Sequence, residues 1–252
     1  MSGSATRDWD AGTYDRVSDP QVAMALGVLD RLDLRGDETV LDAGCGSGRV
    51  TRLLLERVPR GRVIAVDGSA SMVTAAREAL PPGVEVFQSD LVEVAVPEPV
   101  DAVFSNAVFH WIADHDALFA RVHAALEPGG QLVAQCGGEG NIAAFVATLK
   151  EVGSREPYAP YLEGRDTPWN YASPEETERR LRKAGFTNAR CWRTDVSVEP
   201  QDPRAYTHNV CLGAHREHLP EHLREQFTDD VLREAGQPLK LAYVRLNIDA
   251  RA

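Results

Sequence analysis

Long apolar runs are missing from this chain. No stretch approaches the roughly 20 apolar residues a membrane-spanning helix needs, and residues 1–10 lack a basic-then-apolar leader pattern. A soluble, cytoplasmic protein is the expectation, with no membrane partner. Basic residues are in short supply as well: 27 Lys and Arg stand against 38 Asp and Glu, a formal net charge of -11. Binding a phosphate backbone needs a basic face that releases counterions, so nucleic acid is not expected as a partner and small molecules are. The four cysteines, Cys45, Cys136, Cys191 and Cys211, stand singly with no C-x-x-C pair. That spacing argues for free thiols and against both a disulfide framework and a zinc-thiolate site.

What is present suffices for one large α/β domain with an insertion. The 252 residues are 43% hydrophobic, enough to bury a full core. Val22, Leu26, Leu29 and Leu32 repeat at helical spacing and predict a helix over residues 20–32. Strands over 37–43, 62–67, 84–88, 100–105 and 131–136 then alternate with helices over 49–58, 71–80 and 115–126. Pro and Gly residues punctuate them, and Ser69 is placed to cap the second crossover helix. This alternation implies a parallel sheet with right-handed crossovers. Past Gly140 the pattern changes. A helix over 142–152, a loop rich in Pro, Tyr and Gly over 155–171 and a helix opened by Ser173-Pro174 lead to a sixth strand over 190–198. Helical stretches over 204–215 and 219–235 insert before a seventh strand over 239–248.

The stretch T-V-L-D-A-G-C-G-S-G-R-V-T, residues 39–51, reads as strand, tight turn and helix. Gly44, Gly46 and Gly48 let the turn approach a ligand closely. In open α/β sheets ligands bind at the carboxyl ends of the strands. Asp67 ends the second strand, where it can accept from the vicinal hydroxyls of a ribose. Asp90 follows the third and can accept from an exocyclic amine such as that of adenine. The spacing is G-x-G-x-G, with Arg49 where a dinucleotide fold carries its last glycine, and no G-K-[ST] is present. A phosphate-free adenosine compound is therefore the expected ligand.

The motifs V-L-D-A-G-C-G-S-G, V-I-A-V-D followed by Met72, S-D-L, F-S-N-A-V-F-H-W and L-E-P-G-G-Q-L, in this order over residues 39–135, resemble those of Rossmann-like S-adenosylmethionine-dependent methyltransferases. More narrowly, the W-D-A-x-x-Y arm and N-A-V-F-H-W resemble the trans-aconitate methyltransferase group, which methylates small carboxylates. The resemblance implies a doubly wound, seven-stranded, mostly parallel sheet with its last strand antiparallel, helices on both faces and a helical lid. Residues 1–35 would form an N-terminal lid and helix, 36–140 the cofactor-binding core, and 141–252 the rest of the sheet with substrate-cap insertions, within one domain. It implies S-adenosylmethionine as cofactor and S-adenosylhomocysteine as product. Asp42 and Gly44 would meet the methionine end, Asp67 the ribose, and Ser89, Asp90 and Leu91 the adenine. Asn106 and Ala107 would hold the amino-acid portion, and Trp9 and Tyr14 would close over the cofactor. Gly68, after Asp67, departs from the larger residue common in the family.

A carboxylate is ionised at neutral pH and needs no general base, in keeping with the lack of a base dyad in these motifs. His110 would then orient the acceptor, with Trp111, Trp169 and Tyr171 walling its pocket. A phenol or amine acceptor would instead ask His110 to take a proton, and carbon methylation of a quinone-type ring is the nearest rival reaction. A non-catalytic S-adenosylmethionine-binding protein and a nicotinamide-dependent oxidoreductase are the rivals from other classes. Trp9 and Tyr14 have a second reading as a hydrophobic plug under the N-terminal helix. His215, His218 and His222 fall at i, i+3 and i+7, yet Pro220 interrupts them amid charged neighbours, so a solvated face is expected rather than a metal site. Glu175-Arg179 and Glu178-Arg182 are expected as surface ion pairs. The sequence sets neither the acceptor nor an oligomeric state.

Overall fold

The protein was analysed as a computed structural model that describes residues 8–165 and 167–252, apart from the side chains of Thr13, Tyr14 and Val17. Two helices open the chain, α1 (Ala11–Val17) and α2 (Asp19–Leu29). The alternating segment follows: β1 (Thr39–Ala43), α3 (Arg49–Arg57), β2 (Arg62–Asp67), α4 (Ala70–Ala79), β3 (Glu85–Gln88), β4 (Val100–Asn106), a 3-10 turn (Phe109–Trp111), α5 (His115–Ala125) and β5 (Leu126–Gly137). The last part holds α6 (Ala143–Gly153), α7 (Ala159–Leu162), α8 (Pro174–Lys183) and β6 (Thr187–Val198). After these come α9 (Pro203–Tyr206), a π-helical turn (Thr207–Cys211), α10 (Gly213–Glu217), α11 (Glu221–Ala235) and β7 (Leu241–Arg251).

The seven strands form one sheet in the order β3-β2-β1-β4-β5-β7-β6. All neighbours are parallel except β7, which runs antiparallel to both β5 and β6. Leu41 of β1 is in register with Ile64 of β2 and Val103 of β4, so the glycine turn after β1 lies where the chain reverses its direction of travel across the sheet. Period-two alternation sorts the core onto two faces. Leu41, Ile64, Val103 and Leu132 pack with Leu118 and Phe119 of α5, whereas Val40, Val63, Ala102 and Val133 pack with Val28 and Leu29 of α2 and Leu54 of α3. A separate apolar cluster joins Phe145 of α6, Trp169, Tyr206, Phe227 of α11 and Tyr243 into a helical cap beyond the carboxyl ends of the parallel strands.

Several expected boundaries shift for local reasons. Strand β5 begins at Leu126 rather than at residue 131, because Pro128-Gly129-Gly130 is absorbed as an irregularity between the Val100↔Leu126 and Ala102↔Gln131 pairs. The single helix expected over 204–215 is broken into α9, the π turn and α10. The helical group between β6 and β7 lies where the sequence placed it. Ser69 caps α4 by accepting from Met72 N at 3.3 Å, and Ser173 caps α8 by accepting from Glu176 N at 3.2 Å. Arg182 pairs with Glu178 as expected, but Arg179 pairs with Glu176 instead of Glu175. All four cysteines are free thiols. Among the described residues, no helix is long and apolar enough to cross a membrane.

Candidate functional site

The turn after β1 is pinned to β2, since the N–H groups of Gly44 and Cys45 both donate to Val66 O, at 2.8 and 2.9 Å. Its three glycines have φ values of +92°, +56° and +87°, a region that suits glycine. Their surroundings differ. A Cβ on Gly44 would lie 2.2 Å from Val108 and one on Gly48 3.0 Å from Leu80, whereas one on Gly46 would meet nothing within 4 Å. Gly44 and Gly48 thus answer to packing, and Gly46 borders open space.

Two carboxylates stand beneath this turn. Asp42, at the end of β1, is 1% exposed and accepts from Thr51 Oγ1 at 2.7 Å. Burial pushes its carboxyl up to about 7; the Thr51 bond opposes that rise and nearby Asp67 adds to it. Asp67 accepts Gly46 N on one oxygen and Ser69 N on the other, both at 2.9 Å. Burial raises its carboxyl as well, against the pull of those backbone donors.

A cleft opens beside the turn, bordered by Asp42, Gly44, Gly46, Phe104, Asn106 and Ala107 on the sheet side and by Asp15, Ser18 and Gln21 on the helical side. Ala107 is held at φ +62° with its N–H donating to Gln135 O at 2.7 Å. Gln21 Nε2 donates to Tyr206 Oη at 2.7 Å, and Asn106 Nδ2 donates to Gln21 O at 3.1 Å. Their amide oxygens, Gln21 Oε1 and Asn106 Oδ1, are buried with no donor. Buried polar atoms are ordinarily paired, so two orphan acceptors next to a carboxylate describe a place for a cationic donor.

The N-terminal arm is fastened across this edge at two points. Asp8 accepts from Ser69 Oγ at 2.6 Å and Ser71 N at 3.0 Å, Trp9 N donates to Ser69 Oγ at 3.3 Å, and Ser71 Oγ donates to Trp9 O. At the other end Ser47 Oγ donates to Asp15, and Arg49 donates to Asp15 O at 2.7 Å, Ser18 Oγ at 3.0 Å and Asp19 at 2.7 Å. Trp9 is seated edge-on against Trp111, with ring centroids 5.2 Å apart. Tyr14 belongs to α1, but its side chain lies outside the described residues.

His110, Trp111, Trp169 and Tyr171 meet in one aromatic group. Tyr171 stacks on His110 at 5.8 Å and on Trp169 at 5.7 Å, and Trp169 lies 6.0 Å from Trp111. Asn170 ties this loop down, its N–H donating to His110 O at 2.8 Å. His110 Nδ1 accepts the Gly137 N–H at 3.3 Å. Burial first, then Arg245 and His115, hold the His110 imidazole well below the usual histidine range.

The remaining expected residues lie just past the neighbouring strand ends and, for Met72, in the first turn of α4, outside the cleft lining. Ser89 N donates to Asp67 O at 3.1 Å, and Asp90 accepts from Val92 N at 3.0 Å. Gly68 O accepts from Gln88 at 3.3 Å. Leu91 and Met72 commit their side chains to the interior, at 4% and 3% exposure. His215 and His218 sit at α10 and its end whereas His222 sits in α11, so the three histidines do not share one helical face. No group of three or more His, Cys, Asp or Glu among the described residues is placed to hold a metal ion. The motifs did not point to Asp15, Ser18 and Gln21, which border the cleft, nor to Asn170 and Arg245, which adjoin His110.

Residues 40–130 match the family model described as a methyltransferase domain. A trans-aconitate 2-methyltransferase of Azoarcus sp. (strain BH72) is 44% identical over 127 residues, 50% of each chain. One from Rhodopseudomonas palustris (strain BisB18) is 38% identical over 155 residues, 62% of this chain and 60% of that one. The chain spans about half the length of the first of these relatives. Among solved structures, the Haemonchus contortus phosphoethanolamine N-methyltransferase 2 in complex with S-adenosyl-L-methionine superposes with a TM-score of 0.62 at 18% identity, over 96% of this chain and 56% of that one. Residues 40–130 are thus similar to a methyltransferase domain, and the chain as a whole shares the fold of the solved methyltransferase structure.

Proposed function

We propose that this chain is an S-adenosylmethionine-dependent methyltransferase that methylates a carboxylate oxygen of a small organic acid. The observation that carries this reading is the pair of donorless amide oxygens, Gln21 Oε1 and Asn106 Oδ1, beside buried Asp42 in one cleft. A pyrophosphate there would face Asp42 and Asp15 and find no free cation, because Arg49 is engaged by Asp19. An ammonium finds three acceptors. Bound in the cleft, the cofactor supplies a methyl group activated by its sulfonium.

Asp42, Gly44, Asn106, Ala107 and Gln21 would hold the amino-acid end of that cofactor. Gly46 leaves room beside the turn, and Gly48 sets its shape. Asp67 would take the ribose hydroxyls on the lone pairs its backbone donors leave free. Ser89, Asp90 and Leu91, with Gly68 and Met72, would border the adenine. Trp9 and Tyr14 would cover the site. On the acceptor side, neutral His110 would donate a hydrogen bond and orient a carboxylate, which needs no base, while Trp111, Trp169 and Tyr171 exclude water. The trans-aconitate in the relatives' name is an acid of this class.

Calorimetric titration with S-adenosylhomocysteine and with NAD, followed by incubation with methyl-labelled cofactor and a panel of small acids, tests this. Binding of S-adenosylhomocysteine together with label on an acid is expected. Binding of NAD alone would overturn the cofactor assignment. Tight S-adenosylhomocysteine binding with no label transferred across a broad panel would make the chain a non-catalytic binder.

A further inference from the structure

Arg245 lies in the middle of β7, in register with Gly137 of β5 and Thr194 of β6. Its side chain is 2% exposed, yet among the described residues no carboxylate pairs with it. Nε donates to Gln135 Oε1 at 3.1 Å, and NH2 is buried with no acceptor at all. The groups that surround it are Cys136, Tyr243, Tyr206, Tyr171 and His110. None of these is an anion: burial pushes the Cys136 thiol up to about 12 and raises both Tyr171 and Tyr243, His110 is neutral, and the Tyr243 ring meets the guanidinium only as an aromatic face, 5.9 Å from its centroid. Arg31, in the turn after α2, shows the ordinary solution, with Asp249 of β7 at 3.3 Å. A buried guanidinium without a counterion is costly and calls for an anion from outside the chain.

Its position says which anion. Gln135, which takes Arg245 Nε on its side chain, takes the N–H of cleft residue Ala107 on its carbonyl. Gly137, the β5 partner of Arg245, donates to His110 and has the Tyr171 ring packed where its Cβ would be, 2.6 Å away. The guanidinium is thus one residue from the cleft on one side and from the His110 and Tyr171 rings on the other. We propose that Arg245 is the specificity residue of the acceptor site and grips a carboxylate of the acceptor that is not the one methylated. A carboxylate forked on a guanidinium has its lone pairs engaged and is a poor nucleophile, so the reacting carboxylate must be a second one. The acceptor is on this account a di- or tricarboxylic acid. The assignment rests on the methyltransferase reading above.

Calorimetry on the full chain saturated with S-adenosylhomocysteine tests it, with trans-aconitate and the monocarboxylate crotonate as probes. Trans-aconitate is expected to bind and crotonate to bind far more weakly. Arg245→Met should weaken trans-aconitate at least ~30-fold, the loss typical of removing one partner of a buried charge pair, and erase the preference over crotonate. Its S-adenosylhomocysteine affinity should stay within about twofold and its melting temperature should hold or rise, because an uncompensated charge has been removed. Arg245→Lys, which keeps the charge and loses the fork, should fall between; it also decides the matter if the Met variant does not fold. Undiminished trans-aconitate binding in a folded variant, or a fall in melting temperature matched by an equal loss for crotonate, would overturn the proposal. Failure of the wild type to bind S-adenosylhomocysteine would instead sink the methyltransferase reading.

Discussion

The backbone N–H of Gly137 donates to Nδ1 of His110 across 3.3 Å, tying the turn after β4 to the end of β5. An acceptor nitrogen carries no hydrogen, so the neutral ring bears its proton on Nε2 and meets an acceptor as a donor. Since His110 is held well below 6.5 by burial, Arg245 and His115, it stays neutral at physiological pH and above. At saturating cofactor, kcat with a carboxylate acceptor should therefore be flat from about pH 6 to 9. His110→Gln should retain turnover with the same flat profile. A wild-type limb near pH 6 to 7 that vanishes in the Gln variant would return His110 to the role of base.

Asp42 titrates where His110 does not. With its folded carboxyl at about 7 and an unfolded value near 3.8, the native state holds a proton that the unfolded chain has already lost between those values. This group's contribution to stability is therefore largest at low pH and declines as pH rises through that window. Asp42→Asn should remove that slope and melt higher than wild type at pH 8. The ionised form is the one that attracts an ammonium, so S-adenosylhomocysteine affinity should rise with pH through about 7, with proton release on binding below it. In the Asn variant affinity should drop at least ~30-fold and lose its pH dependence. Calorimetry in buffers of different ionisation enthalpy reads both effects.

The two carboxylates differ in how far the sequence announced them. Asp42 and Asp67 end strands whose apolar runs are continuous, so the sheet, its order of elements and the edge that carries the site were legible from Val40, Leu41 and the 62–67 run. Gln21 was legible only in part. It occupies the buried stripe of α2 with Ala25, Val28 and Leu29, but a polar residue on an apolar stripe does not say that its partner is Tyr206, 185 positions away. Arg245 is a charge inside a nearly continuous apolar strand, and that alone could have marked it. What it faces depends on the register of β7 with β5, set by antiparallel pairing that no local pattern encodes. The break of the 204–215 helix into a π turn likewise accompanies the packing of Tyr206 and Cys211 into the cap, with Gly213 opening α10 beyond it, and no local pattern announces it.

Gly44 and Gly46 separate packing from binding. Gly44→Ala puts a Cβ 2.2 Å from Val108, adding overpacking of about 1–3 kcal/mol to the left-handed backbone cost of about 1–2 kcal/mol. A marked fall in melting temperature is expected, partly restored by Val108→Ala. Gly46→Ala meets no protein atom within 4 Å, so only the backbone cost applies, yet its methyl group enters the cleft. It should fold and lose S-adenosylhomocysteine affinity. Equal effects of the two substitutions on stability, or unimpaired binding by Gly46→Ala, would mean that the ligand does not lie along this turn.

Arg49 occupies the position where a dinucleotide-binding turn would have glycine, and it uses that position to hold the N-terminal arm. Its guanidinium spans Asp15 O, Ser18 Oγ and Asp19, while Ser69 and Ser71 hold Asp8 and Trp9 at the other end. Asp15 of α1 lines the cleft, and we propose that with both ends fastened α1 gates it, a ligand entering or leaving when one fastening opens. Hydrogen bonds to a charged group contribute about 1.5–3 kcal/mol each, and exposure of Asp19 discounts that one. Arg49→Ala should therefore speed S-adenosylhomocysteine dissociation by about 10-fold or more, and association as well, so that affinity changes less than either rate. Stopped-flow quenching of Trp9 against Trp111 would follow the arm directly. Unchanged rates in both directions would show that the arm does not gate the cleft, and would leave Trp9 as a plug over the 3-10 turn.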